Sequence, residues 1–360
     1  MSSVLDRWCD RSDRLPLILL IVFCAVVAVA GGSSRADVLG QAVVRGAAIL
    51  FIAALVASGA RIDSKTYRPL FLILAACVGL ITLELVPLPP ALWAGLPGRA
   101  MFLSAAQEAG LSAPWRPIAI YPDGAVNALF SLLVPVAMLS GVAALGPRGI
   151  RQLLPIVIAW VAVSAFNTLL QASGGWFANS FINDENRQYA GLFANRNHDA
   201  LFLAIGTAAS AYWGFGTRRR TSLRLSLAVG LIALFFLTNL VTGSRSGLIL
   251  ELIATGIGLG TINVFARDET RTSVRYRLLI GFAIIVIVGL LLWLSLSFDR
   301  AASFDRIFGQ NASEDPRLLA APTVWKLIRV FEPFGSGAGS FDPAFRIGEP
   351  LSLLDASYMN

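Results

Sequence analysis

The reading of the fold turns on Leu223–Val264, where two apolar runs, Leu225–Val241 and Leu248–Val264, flank the polar tip Thr242-Gly243-Ser244-Arg245-Ser246-Gly247. Each run is about long enough to cross a hydrocarbon layer as a helix. So short a tip turns the second run back antiparallel beside the first. It also sets one arginine, flanked by two serine hydroxyls, at the membrane–water boundary. A guanidinium at that depth is costly without an anionic partner, and its planar fork suits phosphate. Two readings of Arg245 fit the tip: a holder of an anion, or an interfacial anchor whose head snorkels to lipid headgroups.

The rest of the chain agrees with a membrane setting. Its 360 residues are 56% hydrophobic and 14% charged, with a mean hydropathy of +0.69. That is the composition of a polytopic membrane protein, not of a soluble domain around one core. The net charge of +7 gives no argument for nucleic acid, because the basic residues sit between apolar runs. Cys9 precedes the first run while Cys24 and Cys77 fall inside runs, so no disulfide framework is implied. One histidine and no Cys/His cluster argue against a protein-built zinc site.

Nine spans are expected in an all-α bundle: Leu15–Ala30, Val43–Ser58, Pro69–Val86, Ala125–Leu145, Leu153–Gln171, Ala200–Phe215, Leu225–Val241, Leu248–Val264 and Leu278–Phe298. Arg7, Arg11 and Arg14 ahead of the first run also fit a signal peptide, but an uncleaved first helix is the preferred reading. With the N-terminus inside, the inward segments carry sixteen basic residues against seven in the outward loops. That bias orients the bundle. Parity then puts Arg245, and everything after Phe298, on the outer side.

The longer connections, about 87–124, 172–197 and 299–360, all fall outward, where recognition or chemistry is expected. The first, with Pro87-Leu88-Pro89-Pro90, Trp93 and Trp115, reads as short interfacial helices beneath an aromatic belt. The second packs Asn183 through Asn197, then His198-Asp199, between two apolar spans. Arg187 and Arg196 add forked donors there, and His198 is the chain's only side chain that ordinarily titrates near neutral pH. Asn195, Asn197 and Asp199 fit equally well as caps of the sixth span. Arg187, Arg196 and Arg245 are expected to meet at one membrane edge, where their mutual repulsion calls for an anion.

Within the spans, Glu84, Asn167, Asn239 and Glu251 are the notable polar residues. Glu251 lies roughly 9 Å deeper than Arg245 along a helix. It reads as the partner of an arginine on a neighbouring helix, or as a group that positions substrate. The last segment has Asp315-Pro316-Arg317, an amphipathic run Leu318–Phe331, and Pro333-Phe334-Gly335-Ser336-Gly337-Ala338-Gly339-Ser340-Phe341. The glycines permit tight turns and let backbone amides approach a ligand such as an anion. No strand precedes them and no Lys-Ser/Thr follows, so a nucleotide P-loop is rejected.

In this order and at these positions the motifs resemble the O-antigen ligase/polymerase family of bacterial inner-membrane glycosyltransferases. The resemblance rests on Pro87-Leu88-Pro89-Pro90, Trp115-Arg116-Pro117-Ile118-Ala119-Ile120-Tyr121-Pro122, Gly191-Leu192-Phe193-Ala194-Asn195-Arg196-Asn197-His198, the Arg245 tip, Arg317 and the late glycine run. It implies a transmembrane bundle over 1–298 and a large periplasmic loop segment over 299–360. It also implies transfer of a glycan from undecaprenyl diphosphate to an acceptor hydroxyl, on lipid A–core for a ligase or on another lipid-linked glycan for a polymerase. No metal or cofactor is implied: arginines hold the diphosphate, here Arg196, Arg245, Arg317 and Arg187, and stabilise its leaving charge.

A base must take the hydroxyl proton. Ligase members are expected to carry a histidine in the late loop; here that place reads Leu354-Asp355-Ala356-Ser357-Tyr358, closer to the Asp-x-Ser-Tyr of polymerase-like members. Asp355 is thus the first candidate base and His198 the second. The family continues into closing helices beyond this motif, so the chain reads as a shortened member or a piece of one. Two further classes stay open: a transporter or flippase of lipid-linked sugars, and a non-catalytic relative that only binds the lipid diphosphate. The absence of any internal repeat weighs against the transporter.

Overall fold

The computed structural model describes residues 11–33, 38–111, 114–174, 189–216, 222–266 and 316–350. All regular structure among them is α-helical, apart from one antiparallel bridge between Leu88 and Arg116. The chain forms two units, Met1–Ile62 with Ala144–Gly309, and Asp63–Ala143 with Gln310–Asn360. Each is described by itself.

The first unit contains α1 (Arg11–Ala30), α2 (Leu39–Ala57), α8 (Pro147–Ala172), α9 (Arg196–Phe215), α10 (Ser222–Thr242) and α11 (Arg245–Ala266). The second contains α3 (Arg68–Leu85), α4 (Pro90–Ala94), α5 (Ala100–Glu108), α6 (Pro122–Ser131), α7 (Leu133–Ala143), α12 (Pro316–Phe331) and α13 (Phe341–Gly348). Five apolar stretches are long enough to cross a membrane: Leu39–Ala57, Arg68–Leu85, Pro122–Ala143, Pro147–Ala172 and Ser222–Thr242. A shorter apolar helix covers Arg14–Ala30. This is an all-helical membrane protein. The stretch Pro122–Ala143 is α6 and α7 in series, broken at Leu132, because Pro135 has no N–H for residue 131 and its ring crowds that carbonyl. The expected sixth and eighth spans are helices α9 and α11, rich in polar residues; the expected ninth, Leu278–Phe298, lies outside the described residues.

Small residues set the packing of the first unit. Ile158, Val161 and Ala165 of α8 meet Leu203 of α9 and Phe235 of α10. A methyl on Gly206 would overlap Val161, and one on Gly214 would overlap Ala228, so these helices approach at backbone range. Without a hydrophobic drive between helices in lipid, such close packing supplies the association energy. Between α9 and α11 the facing pairs are Ala200 with Gly247, Thr207 with Glu251, and Ala211 with Gly258. Residue numbers rise together along both helices. They are therefore parallel, and their N-termini share one end.

Candidate functional site

That shared end is built from the two helix starts. Asn195 caps α9, its side chain accepting from the amide of Asn197 at 2.8 Å. Ser244 caps α11: its Oγ accepts from the amide of Gly247 at 3.0 Å and donates to Asn197 Oδ1 at 2.7 Å. Gly243, at φ 69°, makes the turn between α10 and α11 that an L side chain would strain. Each cap is followed at once by an arginine, Arg196 on α9 and Arg245 on α11, both half-buried. Two positive helix ends, each opening on an arginine, thus stand side by side, an arrangement suited to an anion such as phosphate. Ser246 lies exposed beside them, 3.2 Å from Ser244 Oγ.

The loop leading into α9 is held by side chains of α8. Gln171 Oε1 accepts from the amides of Ala190 and Gly191, both at 3.0 Å, and Asn167 and Gln171 donate to the Gly191 carbonyl. Ser164 Oγ accepts from the amide of Leu192 and donates to Asp199 Oδ1 at 2.6 Å, while Thr168 donates to Asp199 Oδ2 at 2.7 Å. Gly191 sits directly over these groups at φ 61°, where a Cβ would strike Ser164, Asp199 and Thr168. Asp199 is accordingly fully buried and serves the fold of the loop, not the cap.

Beneath the tip, Asn239 Nδ2 donates to the carbonyls of Ala200 (3.1 Å) and Gly247 (3.4 Å) and to Glu251 Oε2 (2.9 Å). Thr207 donates to the other oxygen of Glu251. Glu251 therefore takes a hydroxyl and an amide as partners in place of the expected arginine, and Asn239 ties together the first turns of the two arginine-bearing helices. Asn239→Leu removes all three bonds while keeping the number and branching of the side-chain heavy atoms. It should cost about 2–4 kcal/mol, because the two carbonyls and the carboxylate stay buried. Thermal unfolding of the purified protein in detergent checks this; an unchanged midpoint would remove Asn239 from the support of the tip.

Of the expected site residues, the structure brings Arg196 and Arg245 to one end of one unit. His198 is exposed there, its ring edge-on to Phe193 at 6.4 Å. Arg317 opens α12 in the other unit. Arg187 and Asp355 lie outside the described residues. Ser164, Thr168 and Gln171 were missed by the sequence reading. Their signal was available: with Asn167 they recur at helical spacing on one face of an apolar span.

The second unit resolves the other motifs. The bridge pairs Leu88 with Arg116 through bonds of 2.8 and 3.2 Å, and Trp93 Nε1 donates to the Pro117 carbonyl at 2.8 Å. The late glycine run docks on this assembly. The Ile120 amide donates to Ser336 O, the Tyr121 amide to Ser340 Oγ, and the Ala338 amide to Glu84 Oε2 at 2.7 Å. The anion that the glycine run approaches is thus Glu84, the protein's own carboxylate. Gly337, at φ 92°, lies against the backbone of Ala119, and Gly339, at φ 70°, against that of Gly124. Gly337→Ala should destabilise this unit by about 2–4 kcal/mol through left-handed strain plus overlap with immovable backbone. Faster cleavage within 332–340 under limited proteolysis reads the effect; wild-type resistance would contradict it.

Among the described residues no cluster of three His, Cys, Asp or Glu side chains could hold a metal ion. No family model, curated protein or solved structure matches the chain.

Proposed function

We propose that the protein is a membrane glycosyltransferase of the O-antigen ligase/polymerase kind. It moves a glycan from undecaprenyl diphosphate to an acceptor hydroxyl at the periplasmic face of a bacterial inner membrane, with its N-terminus cytoplasmic and about nine spans. The observation that carries this reading is the pair of capped, parallel helix starts bearing Arg196 and Arg245, joined by the Ser244–Asn197 hydrogen bond of 2.7 Å. Such a pair offers forked donors and two helix dipoles to a diphosphate.

In the reaction the acceptor oxygen bonds to the anomeric carbon while the bond from that carbon to the diphosphate oxygen breaks. The diphosphate leaves with the electron pair, and its growing charge falls to Arg196 and Arg245, with Arg187 as a further donor. The acceptor proton passes to a base, for which Asp355 is the first candidate and His198 the second. The acceptor is lipid A–core or a second lipid-linked glycan.

The deciding experiment is a gel profile of surface polysaccharide from wild type and a deletion strain. Core bearing a single repeat unit in the deletion identifies a polymerase. Bare core with lipid-linked chains accumulating behind it identifies a ligase. An unchanged profile overturns both. A transporter of lipid-linked sugars is the second reading, favoured by the fully buried Glu251 deep in the first unit. Translocation in sealed vesicles without any glycosidic product would establish it instead.

A further inference from the structure

Outside its membrane-spanning stretches the second unit leaves an apolar stripe uncovered on α12. On α12 the face that packs inward is Thr323, Leu327 and Phe331: Leu327 and Thr323 lie against Gly348 of α13, and Phe331 covers Gly98. The opposite face, at helical spacing, is Leu318, Ala321, Pro322, Trp325 and Ile328, closed at its C-terminal end by Arg329, and it is open; Trp325 is 60% and Leu318 57% exposed. An ordinary surface helix does the reverse, burying its apolar stripe and showing its polar one. The neighbouring α13 adds exposed Phe341 and Ile347. A second feature is charge: α12 carries Arg317, Lys326 and Arg329 and no acidic residue.

What covers the stripe is indicated by where the pair is attached. The loop from which α13 starts is bonded to the ends of two membrane-spanning stretches. Ala338 donates to Glu84 at the end of α3, Tyr121 donates to Ser340 just before α6, and Gly339 touches Gly124 in the first turn of α6. Residue 341 is therefore held at the level where the hydrocarbon ends. A tryptophan-bearing apolar stripe with basic flanks, anchored at that depth, has the chemistry of a helix lying in the headgroup–acyl boundary.

We propose that α12 and α13 form an interfacial element. Leu318, Trp325 and Ile328 enter the boundary of an anionic bilayer, and Lys326 and Arg329 reach its phosphates. The occupant of this face is lipid rather than a second copy or a soluble partner.

The test uses the full chain with Cys9→Ser, Cys24→Ala and Cys77→Ala, reconstituted in vesicles of phosphatidylethanolamine and phosphatidylglycerol. A nitroxide is attached in turn through Trp325→Cys, Ile328→Cys and Lys326→Cys. Labels at 325 and 328 are expected to collide with dissolved oxygen several-fold more, relative to a water-soluble nickel chelate, than the label at 326. Equal chelate access at all three positions would place the stripe in water and overturn the proposal. Protection at 325 and 328 from both reagents would mean that protein covers it, and would overturn it equally. Because all three positions are exposed, the substitutions leave the packed face intact, and positions 325 and 328 serve as independent readings.

Discussion

Arg245→Ala is expected to lower glycan transfer from an undecaprenyl-diphosphate donor by about 10²–10³-fold, the usual effect of removing one donor to developing negative charge. The protein should remain folded. Arg245 occupies the first position of α11, and the cap that starts that helix is Ser244, whose bonds to Gly247 and Asn197 do not involve the guanidinium. The fall should lie mainly in kcat, because charge on the diphosphate oxygen grows as the glycosidic bond breaks and is smaller in the bound donor. Arg245→Lys keeps the charge and loses the fork, and should recover only part of the rate. Transfer assays on purified variants, with thermal unfolding as the control on folding, check the prediction. Full activity from a folded Arg245→Ala protein would remove this residue from the site and leave it an interfacial anchor.

A large structural effect is expected at Arg99, a residue with no motif of its own. Its side chain is fully buried in the second unit. One terminal nitrogen donates to the carbonyl of Ile118 at 2.6 Å and more weakly to that of Gly335 at 3.4 Å; the other reaches Pro97 O at 3.4 Å. The guanidinium lies over the rings of Trp93 and Phe331, at 5.6 and 5.5 Å. Arg99 thus links the proline-rich segment, the Trp-Arg-Pro segment and the glycine run. Burial pushes its pKa down from the ordinary guanidinium value; the carbonyls and ring faces answer part of that desolvation, while Nε stays without a partner. Arg99→Ala leaves a cavity beside two aromatic rings and strips the Ile118 carbonyl of its partner. The expected cost is about 3 kcal/mol, which corresponds to a roughly hundredfold rise in the opened population. Proteolysis of 86–121 and 332–340, where opening precedes cleavage, reads that rise directly. Protection equal to wild type would show that the three segments hold together without it.

The helical membrane class was legible because it depends on composition and run length alone. Hydrocarbon has no partner for a free backbone amide, so a run such as Leu225–Val241 has few alternatives to a helix. The tip was legible for the same reason: six polar residues between two such runs permit only a tight reversal, with Arg245 at its edge. Asn195 as a cap followed from residue type.

What the sequence left open was which polar group answers which. Asp199 suits a cap by type, yet its oxygens go to Ser164 and Thr168, because α8 packs against α9 and offers hydroxyls at that depth. Glu251 suggested an arginine partner and found Thr207 and Asn239, since the parallel packing of α9 on α11 brings Thr207 to it and the reversal at the tip brings Asn239 of α10. The glycine run suggested an external anion; the fold supplies Glu84 from α3, more than two hundred residues away in the chain. Arg99, one of the seven basic residues counted in the outward loops, is the buried link of its unit. Hydrophobic length is a local property, and local sequence determined it. The choice among chemically equivalent polar partners depends on which helices touch, at what register and in which direction, and only the tertiary structure decided that.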